Sequence, residues 1–465
     1  MPKESGFLDR LSGVLLAALT VVVAISEWSG LAWADRAAAV LSGCLILVLT
    51  VQVRRSRQIF VAVGIVLVLA AFLSRPDWSA QLFRALSSAA FIAGFFAALT
   101  TLRNTADSSP AIQRAGRFLA QQPPGRRYAA LTAGGQVFAI LLSYGAIALL
   151  GSLASGNARQ EPDPEIRAHR TRRMLLAVQR GFVSTLPWSP LAFAMAISTS
   201  LIPGATWAGA VLPALGSGVI LAGLGWALDT IFKPRLSRPA PPRAPSEDGW
   251  SCLLPLLGLL AALVILVGSL HLVTGLRAVA VVLVVVPLMS LAWAWIQAEG
   301  PAKGRAVTER AHGFLIRDLP AYRGELVLLM MAGFIGTLGA VLLSPIIARA
   351  GIDLSDLPAW VILVGLVWVV PLTGQLGMNP ILSVSLLAPI IPEAAAIGVR
   401  PSDIIVAITS GWALSGASSP FTATTLLVGS FGNVSALHVG LRWNGVYTAL
   451  SGLALSVWVV LVAMW

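Results

Sequence analysis

Residues 414–430, LSGASSPFTATTLLVGS, and residues 184–198, STLPWSPLAFAMAIS, decide how this chain folds. Each is rich in small and hydroxyl side chains and carries a Ser-Pro pair, Ser419-Pro420 or Ser189-Pro190, inside an apolar run long enough to cross a bilayer. Proline removes a backbone donor and its ring clashes with the preceding turn, so a helix through either stretch is broken there. At membrane depth the freed backbone groups need protein, water or a ligand to satisfy them. The two stretches therefore predict broken membrane spans over 174–202 and 402–430 with a polar site at the breaks.

Working outward, the chain is 57% hydrophobic and 11% charged over 465 residues, which is outside the range of a soluble globular protein. Apolar stretches able to cross a ~30 Å hydrocarbon core run at 11–27, 36–53, 58–74, 84–102, 207–231, 251–273, 277–297, 324–349 and 438–464, besides the two broken ones. Two further regions, about 128–154 and 357–397, read as re-entrant hairpins; the second is too long for one span and is interrupted by Pro371, Gly374, Gly377 and Pro380. The expected fold is an all-α polytopic membrane protein with about 11 transmembrane helices and two re-entrant hairpins.

The net charge of +12 follows topology rather than a nucleic-acid partner. With the N-terminus inside, 24 of the 32 lysines and arginines fall in inner loops, as cytoplasmic loops require. This places the chain in the bacterial inner membrane, N-terminus cytoplasmic and C-terminus periplasmic, its first segment a retained helix rather than a cleaved signal. The segment KPRLSRPAPPRAPSEDG at 233–249 reads as an extended cytoplasmic connector. Across it the sequence repeats: IAGFFAALTTL (92–102) matches MAGFIGTLGAVL (331–342), and Gly135-Gln136 matches Gly374-Gln375, both at an offset of 239. The Ser-Pro pairs match at an offset of 230. With the topology above, the two copies are inverted, an arrangement that recurs in secondary transporters.

Candidate ligands lie at the breaks and hairpin tips. The first break offers Ser184, Thr185, Trp188 and Ser189, and the second Ser415, Ser418, Ser419 and Thr422. Half-helix N-termini suit an anion and freed carbonyls a cation. The inner hairpin places its tip at Ser143, Tyr144 and Gly145; the outer one offers Asn379, a donor and an acceptor in one side chain. Trp188 adjoins the break and reads as a wall for an apolar part of the solute. Arg180, two turns past the basic cluster Arg170, Arg172 and Arg173, reads as snorkelling to the inner surface, with attraction of an anionic solute as the alternative, and Glu393, Arg400 and Asp403 read as solvated loop residues. No enzyme is expected: none of His169, His271, His312 and His438 falls mid-span beside a carboxylate, and there is no phosphate-binding glycine loop. Cys44 and Cys252 sit far apart in apolar segments and suggest neither a disulfide nor a metal site.

Two segments, GQLGMNPILSVSLLAPIIPEAAAIGVRPSD (374–403) and SGWALSGASSPFTATTLLVG (410–429), resemble the ion transporter superfamily, which includes divalent-anion/sodium symporters and membrane subunits of tripartite periplasmic transporters. The resemblance covers roughly 84–231 and 324–464. It implies an elevator mechanism, with scaffold helices at 1–83, a first repeat at 84–231, a cytoplasmic linker at 232–250, scaffold helices and a cytoplasmic loop at 251–323, and a second repeat at 324–465. It also implies that tips and breaks hold solute and sodium, the latter on Asn379, Ser415 and Ser419. A homodimer and a periplasmic binding protein are the partners it allows, beside the bilayer and a small anionic solute; no cofactor is expected beyond a coupling sodium ion. The tips read Ser143-Tyr144-Gly145 and Met378-Asn379-Pro380 where the symporters carry Ser-Asn-Thr, so the resemblance is one of fold rather than of substrate. The expected function is secondary active transport of a small carboxylate-type anion coupled to sodium or protons. The alternatives are transport of an amphipathic or lipid-linked solute, and a membrane scaffold or accessory subunit with no transport cycle.

Overall fold

The described residues of the computed structural model are 6–107, 109–233, 248–298, 302–349 and 354–465. The connector expected at 233–249 lies, apart from its end residues, outside them. Among the described residues there are helices and turns and no strand.

The first half contains α1 (Phe7–Ser29), α2 (Ala32–Thr50), α3 (Arg55–Ser74), α4 (Trp78–Asp107), α5 (Pro110–Gln121), α6 (Pro124–Leu142), α7 (Gly145–Arg159), α8 (Pro164–Val183), α9 (Phe193–Leu201) and α10 (Trp207–Ile231). The second contains α11 (Leu254–Thr274), α12 (Ala278–Gln297), α13 (Lys303–Gly313), α14 (Leu319–Ala321), α15 (Arg323–Arg349), α16 (Ala359–Gln375), α17 (Pro380–Leu387), α18 (Pro401–Ser418), α19 (Ala423–Gly432) and α20 (Gly445–Ala463), with a π-helical turn at His438–Trp443 ahead of α20. Among the described residues ten helices are long and apolar enough to cross a membrane, residues 401–432 being counted across their break. The chain is thus a multi-pass membrane protein by length and composition. The further span expected at 174–202 is not among the ten because it is cut into α8 and the nine-residue α9.

Residues fall into two compact units. Unit 1 comprises 1–105, 265–356 and 381–392; unit 2 comprises 106–264, 357–380 and 393–465. The units cut across the sequence repeat. The first span of each copy, α4 and α15, belongs to unit 1, whereas both broken helices belong to unit 2. Within unit 1, α1 packs on α2 and α15 on α3, with Gly64 of α3 facing the methyl of Met331. The Trp28 indole donates to Ala280 O at 2.8 Å.

Unit 2 contains two similar packings. In the first half α6 and α7 lie on each other and both pack on α8; in the second α16 packs on α18 and both pack on α20. The helices after the breaks are exchanged: α9 packs on α18, and α19 packs on α7 and α8. Local sequence sets these elements. Asp163 Oδ1 accepts from the amides of Glu165 (2.8 Å) and Ile166 (3.2 Å), with Pro164 in the first turn, so α8 starts where a carboxylate cap and a proline dictate. At the start of α18, Asp403 is buried (1% exposed), accepting from the Arg400 amide at 2.9 Å and the Arg400 guanidinium at 2.9 Å. Its expected role in a solvated loop is corrected: a carboxylate in the first turn of a helix is held by the dipole and the exposed amides.

Residues 124–159 form two arms, α6 and α7, which pack on each other and meet at Ser143-Tyr144. Residues 357–397 also form two arms, joined over 376–379, but these are divided between the units. The first arm, α16, packs within unit 2. The second, α17, belongs to unit 1, where Ser385 lies against Gly336 of α15. Cys44 is exposed on α2, Cys252 is partly buried, and both are free.

Candidate functional site

The two breaks in unit 2 have one geometry. The amide of Ser189 donates to Thr185 O and that of Ser419 to Ser415 O; Ala192 then bonds back to Ser189 O and Thr422 to Ser419 O. Ser189 Oγ accepts from the Leu191 amide, and Ser419 Oγ from the Phe421 amide, both at 3.3 Å. The second half-helices begin at Ala192 and Thr422, both extended, with φ and ψ of −80° and 134° and of −81° and 148°. Each pair is separated by the offset of 230 read in the sequence.

The hairpin arms press on the pre-break helices through glycine. A Cβ on Gly181 of α8 would fall on Thr132 O of α6, and one on Gly411 of α18 would stand 2.7 Å from Leu366 O and 2.8 Å from Val367 O of α16. Glutamines pin the same contacts: Gln136 Nε2 donates to Ser184 Oγ (2.9 Å) and Gln375 Nε2 to Ser418 Oγ (3.2 Å).

A cavity of about 20 Å³ lies between the inner tip and the first break, lined by Ser143, Tyr144, Phe182, Thr185, Ser189, Phe193 and Trp412 among others. It is the size of a water or a bare ion. Phe182 and Trp412 occupy equivalent positions of the two copies, and Tyr144 stacks on Phe182 with ring centroids 5.2 Å apart. Ser143 stands at the tip with φ 50° and ψ −131°, a conformation natural to glycine alone. Ser143→Gly should therefore raise thermal stability by about 1 kcal/mol, measured by melting in detergent; an unchanged or lower melting point would show the tip to be unstrained.

Of the expected site residues, Ser143, Tyr144, Thr185 and Ser189 meet at this cavity. Gly145 is buried as the first residue of α7. Ser184 is held by Gln136 and by Gly181 O (2.8 Å) and does not line the cavity. Trp188 does not line it either: its indole donates to Ser184 O at 2.9 Å and packs on Gly218 of α10. Trp412 supplies the aromatic wall instead.

At the second break, Ser419 Oγ donates to Gly374 O at 2.7 Å, and Ser418 Oγ donates to Leu414 O at 2.8 Å. Thr422 Oγ1 donates to Ser419 O at 2.9 Å. Ser415 is fully buried and its Oγ, 2.5 Å from where a Cβ of Gly374 would stand, has no hydrogen-bond partner among the described residues. Asn379 is half-buried, two residues beyond Gly377 at φ 91°.

The chain has the fold of membrane transporters. Its structure is similar to that of the YdaH transporter of Alcanivorax borkumensis, with a TM-score of 0.54 over 87% of this chain and 98% of that one, at 18% identity. It is also similar to MtrF of Neisseria gonorrhoeae, from a class of antimetabolite efflux pumps, with a TM-score of 0.51, 88% and 94% coverage, and 15% identity. No family model and no curated protein sequence matches the chain.

The largest departure from the sequence reading is Arg180. It does not snorkel to a surface but is buried (5% exposed) among neutral acceptors. Its guanidinium donates to Asn444 Oδ1 (3.1 Å), Tyr128 Oη (3.2 Å), Gly225 O (3.4 Å) and Trp443 O (3.4 Å), and lies 4.5 Å from the centroid of the Tyr447 ring. The nearby carboxylate, Asp229, is taken by Arg173, which donates to both its oxygens at 2.8 and 2.6 Å. Over 134–145, 179–193, 373–380 and 411–425, the segments that build tips and breaks, Arg180 is the single residue with a formal charge. Its sequence position gave no sign of these partners, which come from three other segments, at Tyr128, Gly225 and Trp443-Asn444. Among the described residues no group of three His, Cys, Asp or Glu is placed to hold a metal ion.

Proposed function

We propose that this chain is a secondary active transporter for a small organic anion, coupled to sodium and working by an elevator movement, with solute and ion held between the tips and breaks of unit 2. The observation that carries this is the pair of matching breaks, each facing a glycine-bearing hairpin arm, with a cavity at one and the unpartnered Ser415 hydroxyl at the other. The amides at the starts of α9 and α19, at the positive ends of these half-helices, favour an anion. Serine hydroxyls and freed carbonyls suit sodium, with Ser415 and Ser419 as ligands and Asn379 as the third. Sodium is preferred to protons because the tip and break segments contain no carboxylate, lysine or histidine to carry a proton.

Uptake of labelled organic acids into proteoliposomes tests this reading. An inward sodium gradient should drive accumulation, and a proton gradient without sodium should not. Accumulation driven by protons alone would remove sodium from the mechanism, and no movement of any anion under either gradient would return the chain to the scaffold reading.

The aromatic wall formed by Tyr144, Phe182, Phe193 and Trp412 supports a second reading, in which the solute is an amphipathic acid with a flat apolar part moved outward. The likeness to MtrF supports the same direction. Competition separates the two: aromatic acids would outcompete short dicarboxylates under the second and not under the first.

A further inference from the structure

Arg180 is buried with no carboxylate partner among the described residues, an arrangement that is costly unless its charge is used. What it touches shows a use. Helix α18 stops at Ser418; Ser415 O still receives the Ser419 amide, while the carbonyls of Gly416, Ala417 and Ser418 lie past that last backbone bond and carry the negative end of the helix dipole. Gly416 O receives Thr424 Oγ1 and, at 3.4 Å, Gln179 Nε2. Ala417 O receives Gln179 Nε2 at 3.4 Å and Asn444 Nδ2 at 3.2 Å. Asn444 Nδ2 also donates to Gln179 Oε1 at 2.9 Å, while Asn444 Oδ1 accepts from Arg180 Nε. A guanidinium beside an amide admits only its oxygen, so Arg180 fixes which way Asn444 points. With the oxygen held, the amide nitrogen has to face the carbonyl end of α18.

We propose that Arg180 is a positioning residue that acts as the built-in cation of the second break, fixing the carbonyl end of α18 through Asn444. A helix end interrupted at membrane depth needs positive charge or donors there, and in this protein part of that need is met from α8, a helix of the other repeat. The device belongs to one half alone. The residue equivalent to Arg180 in the second copy is Ser410, whose hydroxyl bonds Ser217 of α10 at 3.1 Å. Neither transport nor a bound ion is assumed in this inference.

The test is thermal melting of the purified full-length protein and of Arg180→Ala, Arg180→Met and Asn444→Ala, each titrated with millimolar guanidinium chloride against sodium chloride of equal ionic strength. Arg180→Ala removes the charge and leaves room for it; it should melt lower by about 5 °C or more, and guanidinium should restore most of that loss in a saturable way. Arg180→Met fills the space without charge and should stay low and unresponsive. Asn444→Ala lacks the relay and should be low and unresponsive as well. If Arg180→Met melts with the wild type, the side chain acts by packing and the proposal is overturned. A lowered Arg180→Ala that guanidinium does not raise overturns it equally. Should Arg180→Ala not yield folded protein, Arg180→Lys replaces it: more stability retained than by Arg180→Met supports a requirement for charge, and equal loss in the two refutes it.

Discussion

Gly411→Val should cost the protein about 3 kcal/mol of stability, and Gly181→Val a similar amount, seen as a large fall in folded yield and melting temperature. At Gly411 the carbonyl oxygens of Leu366 and Val367 stand 2.7 and 2.8 Å from where a Cβ would be, and at Gly181 the Thr132 carbonyl oxygen stands closer still. These are backbone atoms of packed helices, so they cannot swing aside as the end of a side chain can. The substitution must push α16 off α18, or α6 off α8, and those contacts hold the hairpin arms to the broken helices. Small residues at such crossings let helices approach where lipid offers no hydrophobic drive to association. Gly223 of α10 supplies the control. It is exposed, nothing lies within 4 Å of its Cβ position, and Gly223→Ala should leave stability unchanged or raise it by about 0.5–1 kcal/mol through helix propensity. If Gly411→Val melts with the wild type while Gly223→Ala behaves as stated, α16 and α18 are not in the close contact described.

The breaks beside these glycines were legible in the sequence, whereas the glycine contacts were not. The Ser-Pro pairs announced two breaks because proline acts on its own backbone, whatever the tertiary context. Both breaks appear where the pairs stand, with their hydrogen bonds repeating at the offset read from sequence alone. The inner turn at Ser143-Tyr144 falls where the small and polar residues Ser143, Tyr144 and Gly145 interrupt the apolar run of 128–154. Side-chain direction was not legible. A residue in an irregular break can face any neighbour, and Trp188 faces α10 while Trp412, in regular helix, reaches the cavity. Arg180 was misread because snorkelling is argued from distance along the chain, whereas its acceptors on Tyr128, Gly225, Trp443 and Asn444 come from segments brought together only by folding. The division of the outer arms between the units was hidden for the same reason, since apolarity marks α17 as buried and does not say against what.

Ser415→Ala should abolish sodium-dependent uptake while leaving the sodium-free protein at least as stable as the wild type. The two effects run in opposite directions because of where the hydroxyl stands. Ser415 is fully buried and its Oγ has no partner, so removing it relieves an unsatisfied polar group and contributes about 1 kcal/mol rather than losing any. If that hydroxyl is a sodium ligand, the wild type gains stability by mass action as sodium is added, about 2.7 kcal/mol at one hundred times the dissociation constant. The variant then loses that gain, and its melting curve crosses that of the wild type as sodium rises. Ser418→Ala distinguishes this from ordinary damage to the break. The Ser418 hydroxyl donates to Leu414 O and accepts from Gln375, so its loss should lower stability by the same amount with or without sodium. Equal stabilisation of Ser415→Ala and wild type by sodium would place the cation away from the second break, and would leave the buried hydroxyl of Ser415 as a donor awaiting the solute instead.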